Sequence, residues 1–322
     1  MSALKILNTL DLSGVPSAVC LLEAAGQLIS IAPKRDLVIS NLHDAVVYFA
    51  SASVVVDREL LDAAPKLALI ASPSTGTDHL DLVEIAKRGI TCFDISKEFD
   101  LINSFSATSE LAFAMLLALN RNLINAASDA KEGVWSREKN VGFQLLGKTF
   151  GIVGLGRLGK ISTRIARGFG MRVIATDPFV DQSNTDVELL SLEDVLRHSD
   201  VISIHVHLNE ATRGMIGRQE FNLMKSSAII INTSRGKIID EIALLEALDR
   251  KIIAGACLDV IDGEWLSSHE LGNHPLVKYS RSHNNILIMP HIGGSTWESI
   301  YGAREFMAKR ICNWIAGNSN GL

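Results

Sequence analysis

Only four cysteines occur in the 322 residues, at positions 20, 92, 257 and 312, with no C-x-x-C pair and no histidine spacing that suits zinc. A disulfide framework and a structural zinc site are therefore excluded as organising principles, and the thiols read as ordinary side chains of a reducing cytoplasm. Positive charge is not in excess either. Thirty-one Lys and Arg against 36 Asp and Glu leave a net charge of −5, which offers nothing to nucleic acid or to an anionic membrane. No run reaches the roughly 18 uninterrupted apolar residues of a membrane span. The start lacks a basic segment followed by a long apolar one, so a soluble, unexported protein is expected. Internal repeats and low-complexity tracts are missing too. What is present is globular: 47% hydrophobic and 21% charged residues, in a chain long enough for one large or two medium domains.

The chain turns on Gly151-Ile152-Val153-Gly154-Leu155-Gly156-Arg157-Leu158-Gly159-Lys160, a G-x-G-x-x-G run between a strand end and an amphipathic helix. Gly154 suits the tight turn, Gly156 lets backbone approach a pyrophosphate, and Gly159 lets helix and strand pack closely. An anion would sit at the positive end of the new helix. Behind the turn runs an apolar strand, residues 149–153, and ahead of it Leu158, Ile161, Ile165 and Phe169 repeat at helical spacing. A second strand, residues 172–176, ends in Asp177, 23 residues beyond Gly154 (177 − 154). A carboxylate there accepts the hydroxyls of an adenosine ribose and repels a 2′-phosphate. No Arg or Lys follows within residues 178–186, so NAD is favoured over NADP.

Apolar runs at residues 4–7, 45–49, 67–70 and 91–93 alternate with helical spacing at 57–64 and 82–88, the pattern of a small parallel α/β unit. Its loop Ser72-Pro73-Ser74-Thr75-Gly76-Thr77-Asp78 follows a strand end; it can offer N–H groups to a carboxylate, or be a plain turn. Residues 104–131 read as an apolar helical crossover, with any exposed remainder a candidate oligomer contact. Further strands are expected at 201–205, 228–232, 256–259 and 286–289, six in all for a doubly wound dinucleotide domain over about 105–290. Residues 297–316 read as a final helix.

Three chemically capable side chains follow strand ends: Arg235, Glu264 and His291. A guanidinium can hold a substrate carboxylate and polarise a carbonyl through its planar fork. An imidazole can give the carbonyl oxygen a proton as hydride arrives. A carboxylate on the far ring nitrogen favours the imidazolium. Each alone is an ordinary surface residue; convergence at one sheet edge is what gives them meaning.

These stretches, with Ile231-Asn232-Thr233-Ser234-Arg235-Gly236, Leu258-Asp259-Val260 and Pro290-His291-Ile292-Gly293-Gly294, resemble the D-isomer-specific 2-hydroxyacid dehydrogenase family over nearly the whole chain. The resemblance implies an α/β fold in which a Rossmann-type NAD-binding domain (105–290) is inserted into a smaller flavodoxin-like substrate domain (1–104 and 291–322). It further implies that Arg235 binds substrate, Glu264 supports the histidine and His291 is the acid/base. Asp259 would hold the nicotinamide carboxamide, and Arg157 and Leu158 would sit at the pyrophosphate, with His205 and Thr233 as further cofactor contacts. Thr75 and Gly76 would take the substrate carboxylate. The implied protein is a cytoplasmic homodimer acting on a small 2-oxo/2-hydroxy acid pair in a cleft between its domains.

Departures narrow this. His207 and Trp265 each stand where the family commonly has Pro. Ser51-Ala52-Ser53 falls where phosphoglycerate-type members carry an Arg, and no extension of the serine-regulated kind follows. A less charged 2-oxo acid is therefore expected, with phosphoglycerate dehydrogenase as the alternative within the class. An NAD-sensing, corepressor-like binding protein is the alternative from another class. A nucleoside hydrolase using bound NAD is disfavoured because its long substrate domain is missing.

Overall fold

The computed structural model describes residues 4–265 and 268–318. It divides into two compact units, one running to Phe105 and resuming at Ser295, the other Ser106–Gly294.

Among the described residues the first unit holds five strands: β1 (Lys5–Asn8), β2 (Gln27–Ser30), β3 (Val47–Phe49), β4 (Leu69–Ala71) and β5 (Thr91–Phe93). All pair in parallel in the order β2-β1-β3-β4-β5, that of flavodoxin-like sheets. Strands buried on both faces must be apolar at every position, and here alternate residues serve opposite cores. Ile6, Val47 and Leu69 pack with Ala18, Leu22, Met307 and Ile311 from the helices Pro16–Ala25 and Gly302–Asn318. Leu7, Tyr48 and Ile70 face the other way, onto Val38, Leu60 and Ile85. The helices Arg58–Asp62 and Leu82–Lys87 begin where sequence spacing puts them, because Asp57 and Asp81 accept the N–H groups of Leu60 and Glu84.

The second unit is a seven-stranded parallel sheet: β6 (Thr149–Val153), β7 (Arg172–Thr176), β8 (Glu188–Leu189), β9 (Val201–Ile204), β10 (Ile229–Asn232), β11 (Gly255–Leu258) and β12 (Ile286–Ile288). The order β12-β11-β10-β9-β6-β7-β8 reverses direction between β6 and β9, the switch point where doubly wound sheets bind ligands. Phe150, Ile152, Ile229 and Ile231 pack against Phe113, Leu116 and Ala166, while Val153, Ile202, Ile230 and Leu258 pack against Phe221, Leu244 and Leu248.

Four findings differ from the sequence expectation. The first sheet has five strands rather than four, because the edge strand β2 pairs with β1 without an apolar run of its own. The second sheet has seven strands rather than six, because the two-residue edge strand β8 pairs with β7 through Ile174 and Glu188. The apolar stretch beginning near Ser104 is not one helix: Ala107–Asn120 ends at Asn122, whose φ of 49° is left-handed, and Leu123–Lys131 follows with no buried residue. Phe99–Asn120 is long and apolar enough, by composition, for a membrane span. Within it, however, Ala107–Asn120 is a core helix that buries Ala112, Phe113, Met115 and Leu116 against the sheet. Finally, residues 291–294 group with the second unit, where the N–H of His291 donates to the Asp259 carbonyl (2.9 Å) beyond β11.

Candidate active site

The glycine run forms the turn from β6 into the helix Arg157–Gly168. Gly154 has φ +96°, and a Cβ there would lie 2.8 Å from the His205 carbonyl oxygen, so only glycine allows the turn to pass beneath that strand end. A Cβ on Gly159 would run into the Gly154 carbonyl, which is why helix and turn pack so closely. Over Gly156 the situation is opposite: a Cβ would meet nothing within 4 Å, and no side chain caps the helix start. Arg157 and Leu158 form the first turn of that helix, and the Leu158 carbonyl accepts the Ser109 hydroxyl at 3.1 Å.

At the tip of β7 the two oxygens of Asp177 accept the N–H groups of Leu155 (2.8 Å) and Phe179 (2.9 Å). This ties the carboxylate to the glycine turn and leaves a lone pair on each oxygen. Two buried polar atoms at the ends of the neighbouring strands β9 and β10 have no partner: Nδ1 of His205 and Oγ1 of Thr233. The His205 Nε2 meets the Ser203 hydroxyl at 3.0 Å, and burial pushes the ring's pKa down to about 4, so it is neutral at pH 7.

Beyond β10, β11 and β12, adjacent and parallel, come Arg235, Glu264 and His291, which places all three on one edge of the sheet. Arg235 is extended, with Nη1 donating to the Ser234 carbonyl (2.8 Å). Gly236 then lies so close to Ile261 and Asp262 that a side chain would collide with their backbone, which brings the Arg235 turn against the loop carrying Glu264. Glu264 Oε1 is 2.9 Å from His291 Nδ1. With the Nδ1–H donating to the carboxylate, Nε2 is left as the position where a proton can be given or taken.

His291 itself has φ +53°, an uncommon conformation for a residue with a side chain. Asp259, 1% exposed, holds it there. One carboxylate oxygen accepts the N–H of Ile292 and the other that of Gly293, both at 2.8 Å, while burial raises the group's pKa against the opposing effect of those bonds. The Asp259 carboxylate thus ties down the histidine loop, a contact absent from the sequence reading.

Two further contacts escaped sequence reasoning. Glu241 Oε1 accepts the Asp262 N–H at 2.7 Å, and its Oε2 lies 3.2 Å from Nε2 of His274, so a second carboxylate–imidazole pair anchors the Glu264 loop. The Trp265 ring centroid lies 5.7 Å from that of His291. Trp265 was visible in the sequence as a departure from family pattern; Glu241 and His274 carried no signal, since their contact spans 33 residues (274 − 241).

Thr75 and Gly76 lie in the first unit, in the loop after β4. There the Ser72 hydroxyl meets Ser74 Oγ (2.9 Å) and His79 Nε2 (3.0 Å), and Ser74 Oγ donates to the Gly76 carbonyl (2.8 Å). Ser51 and Ser53, after β3, share a 2.9 Å hydroxyl contact.

Residues 113–293 match the model of the D-isomer specific 2-hydroxyacid dehydrogenase NAD binding domain. Over 296 residues the chain is 36% identical to a glyoxylate reductase of Thermococcus litoralis, covering 89% of this chain and 85% of that one. It is 32% identical over 309 residues to a D-3-phosphoglycerate dehydrogenase of Methanocaldococcus jannaschii, covering 93% of this chain but 56% of that protein. Among solved structures, D-lactate dehydrogenase of Aquifex aeolicus, complexed with NAD and lactic acid, superposes with a TM-score of 0.81 at 26% identity, covering 98% and 96% of the two chains. The chain belongs to the D-isomer specific 2-hydroxyacid dehydrogenase family. It is an NAD-dependent oxidoreductase that transfers hydride between NAD(H) and a 2-oxo/2-hydroxy acid pair. The residues present fit NAD: open space over Gly156, an uncapped helix start, the spare lone pairs of Asp177, and the unpartnered His205 Nδ1 and Thr233 Oγ1.

Proposed function

We propose that this enzyme reduces a small, singly anionic 2-oxo acid to the (R)-2-hydroxy acid, with Arg235, Glu264 and His291 as the working groups. The observation that carries the proposal is the 2.9 Å Glu264–His291 pair at the strand-end edge of a dinucleotide-type sheet. NADH, when bound, supplies the hydride. Arg235 pairs with the substrate carboxylate and polarises its carbonyl. His291 delivers a proton from Nε2 to the carbonyl oxygen, and Glu264 holds the ring in that orientation. Gly154, Gly156, Arg157, Leu158 and Gly159 receive the pyrophosphate, and Asp177 the adenosine ribose. Asp259, His205 and Thr233 border the nicotinamide end, where a neutral His205 adds no positive charge beside a ring that becomes cationic on oxidation. Hydroxyls rather than a cation at Ser51 and Ser53 support a substrate without a second anionic end.

A panel of glyoxylate, hydroxypyruvate, pyruvate, branched 2-oxo acids and phosphonooxypyruvate, followed by NADH absorbance, tests this reading. Turnover of unphosphorylated acids is expected, with NADH preferred over NADPH because Asp177 repels a 2′-phosphate. Turnover confined to phosphonooxypyruvate would overturn the substrate assignment, and equal use of the two cofactors would overturn the role of Asp177.

We further propose a homodimer. Leu123, Ile124, Val134, Trp135 and Val141 are all exposed, Trp135 at 89%, and an apolar set of this kind along one segment marks an interaction surface. Sedimentation is expected to give twice the chain mass; a monomer at micromolar concentration would refute it.

A further inference from the structure

We propose that Trp265 determines specificity at this site, selecting 2-oxo acids whose third carbon carries an uncharged apolar group over those with a second anion there; this rests on the reading of His291 as proton donor. Three observations in the second unit point to it. The indole packs beside the His291 imidazole, with ring centroids 5.7 Å apart and planes inclined by 32°. It is 57% exposed, so most of its apolar surface is left for something else to cover. Its backbone is not a drifting tip: Glu264, next in the chain, is bonded to His291, and Asp262 is bonded to Glu241, which is itself paired with His274.

The chemistry follows from reach. A carbonyl oxygen that takes a proton from His291 Nε2 lies within hydrogen-bond distance of the ring edge. The third carbon of the same molecule is bonded directly to the carbonyl carbon, two bonds from that oxygen, so a substituent of one or two further carbons meets the neighbouring indole. An alkyl group covering it removes apolar surface from water on both partners. A carboxylate or phosphate in the same place would lose hydration against the electron-rich face of the indole and stand beside the Glu264 carboxylate. Proline, which the resemblance leads one to expect at position 265, offers a far smaller wall.

The test compares the enzyme with Trp265→Ala and Trp265→Phe, using 2-oxopentanoate, glyoxylate and oxaloacetate, and NADH binding by calorimetry as a folding control. One contact of this size is worth roughly tenfold in discrimination. In Trp265→Ala the kcat/KM ratio of 2-oxopentanoate to glyoxylate, which has no third carbon, is expected to fall about tenfold, chiefly through KM. The ratio of 2-oxopentanoate to oxaloacetate should fall at least as far, and Trp265→Phe should restore most of both. Equal losses on all three acids would show that the indole only shapes the His291 loop, and unchanged ratios would remove it from substrate selection; either result overturns the proposal while leaving the dehydrogenase reading intact. A parent enzyme that reduces none of the three overturns both.

Discussion

His291→Ala is expected to lower kcat by about a thousandfold while leaving NADH affinity within roughly threefold, as read by steady-state kinetics and calorimetry. General acid catalysis by a positioned side chain supplies on the order of 10²–10⁴ in rate, and Nε2 is the ring position left open by the Glu264 bond. The change is a clean one structurally. Alanine faces the same left-handed backbone, at φ +53°, and the main-chain bond from residue 291 to the Asp259 carbonyl survives because it uses no side chain. Glu264→Gln should cost less, about tenfold to a hundredfold, since an amide oxygen still accepts from Nδ1 but no longer offsets the charge of the imidazolium. A His291→Ala enzyme keeping more than a tenth of its turnover would remove His291 from the reaction, and one that lost NADH binding would show the loop, not the proton, to be what failed.

The residues behind that expectation were legible in the sequence because their positions are tied to short-range pattern. β6, the glycine run and β7 combine strand runs of five residues with a helix of clear periodicity, and the strand ends carrying Arg235, Glu264 and His291 follow from the same reading. Less regular elements were not legible. β2 is a sheet edge whose Gln27 and Ser30 are exposed, so it lacks an apolar run, and β8 is only two residues long. Asn122 breaks the long apolar stretch through a single left-handed residue, a backbone event that hydropathy does not register.

What the sequence left open at the site itself is of another kind. Glu241, His274 and Trp265 matter through contacts between segments distant in the chain, and no spacing rule announces a carboxylate that will accept the N–H of Asp262 across the sheet edge. Asp259 lay within a motif, yet the motif says nothing of its two bonds to Ile292 and Gly293. Those bonds join the end of β11 to the segment after β12, and they exist only once the two strands pair.

The larger stability effect is therefore expected at Asp259 and not at any of the three working side chains. In Asp259→Ala the N–H of Gly293 is left buried without an acceptor and that of Ile292 nearly so, each at about 1–3 kcal/mol. The strained His291 backbone, with a cost on the order of 1–3 kcal/mol, also loses part of what holds it. A fall of roughly 3 kcal/mol is expected, a drop in Tm on the order of 6–12 °C for a domain of this size. Asp259→Asn should recover less than half of it, because an amide presents one acceptor and one NH₂ to two N–H donors. Both variants should lose about a hundredfold in kcat by releasing the imidazole from its place, even where NADH still binds. Calorimetric melting with parallel kinetics separates the two effects. If the asparagine variant melts with the parent and turns over normally, the carboxylate does not hold the histidine loop, and its contribution belongs to the nicotinamide alone.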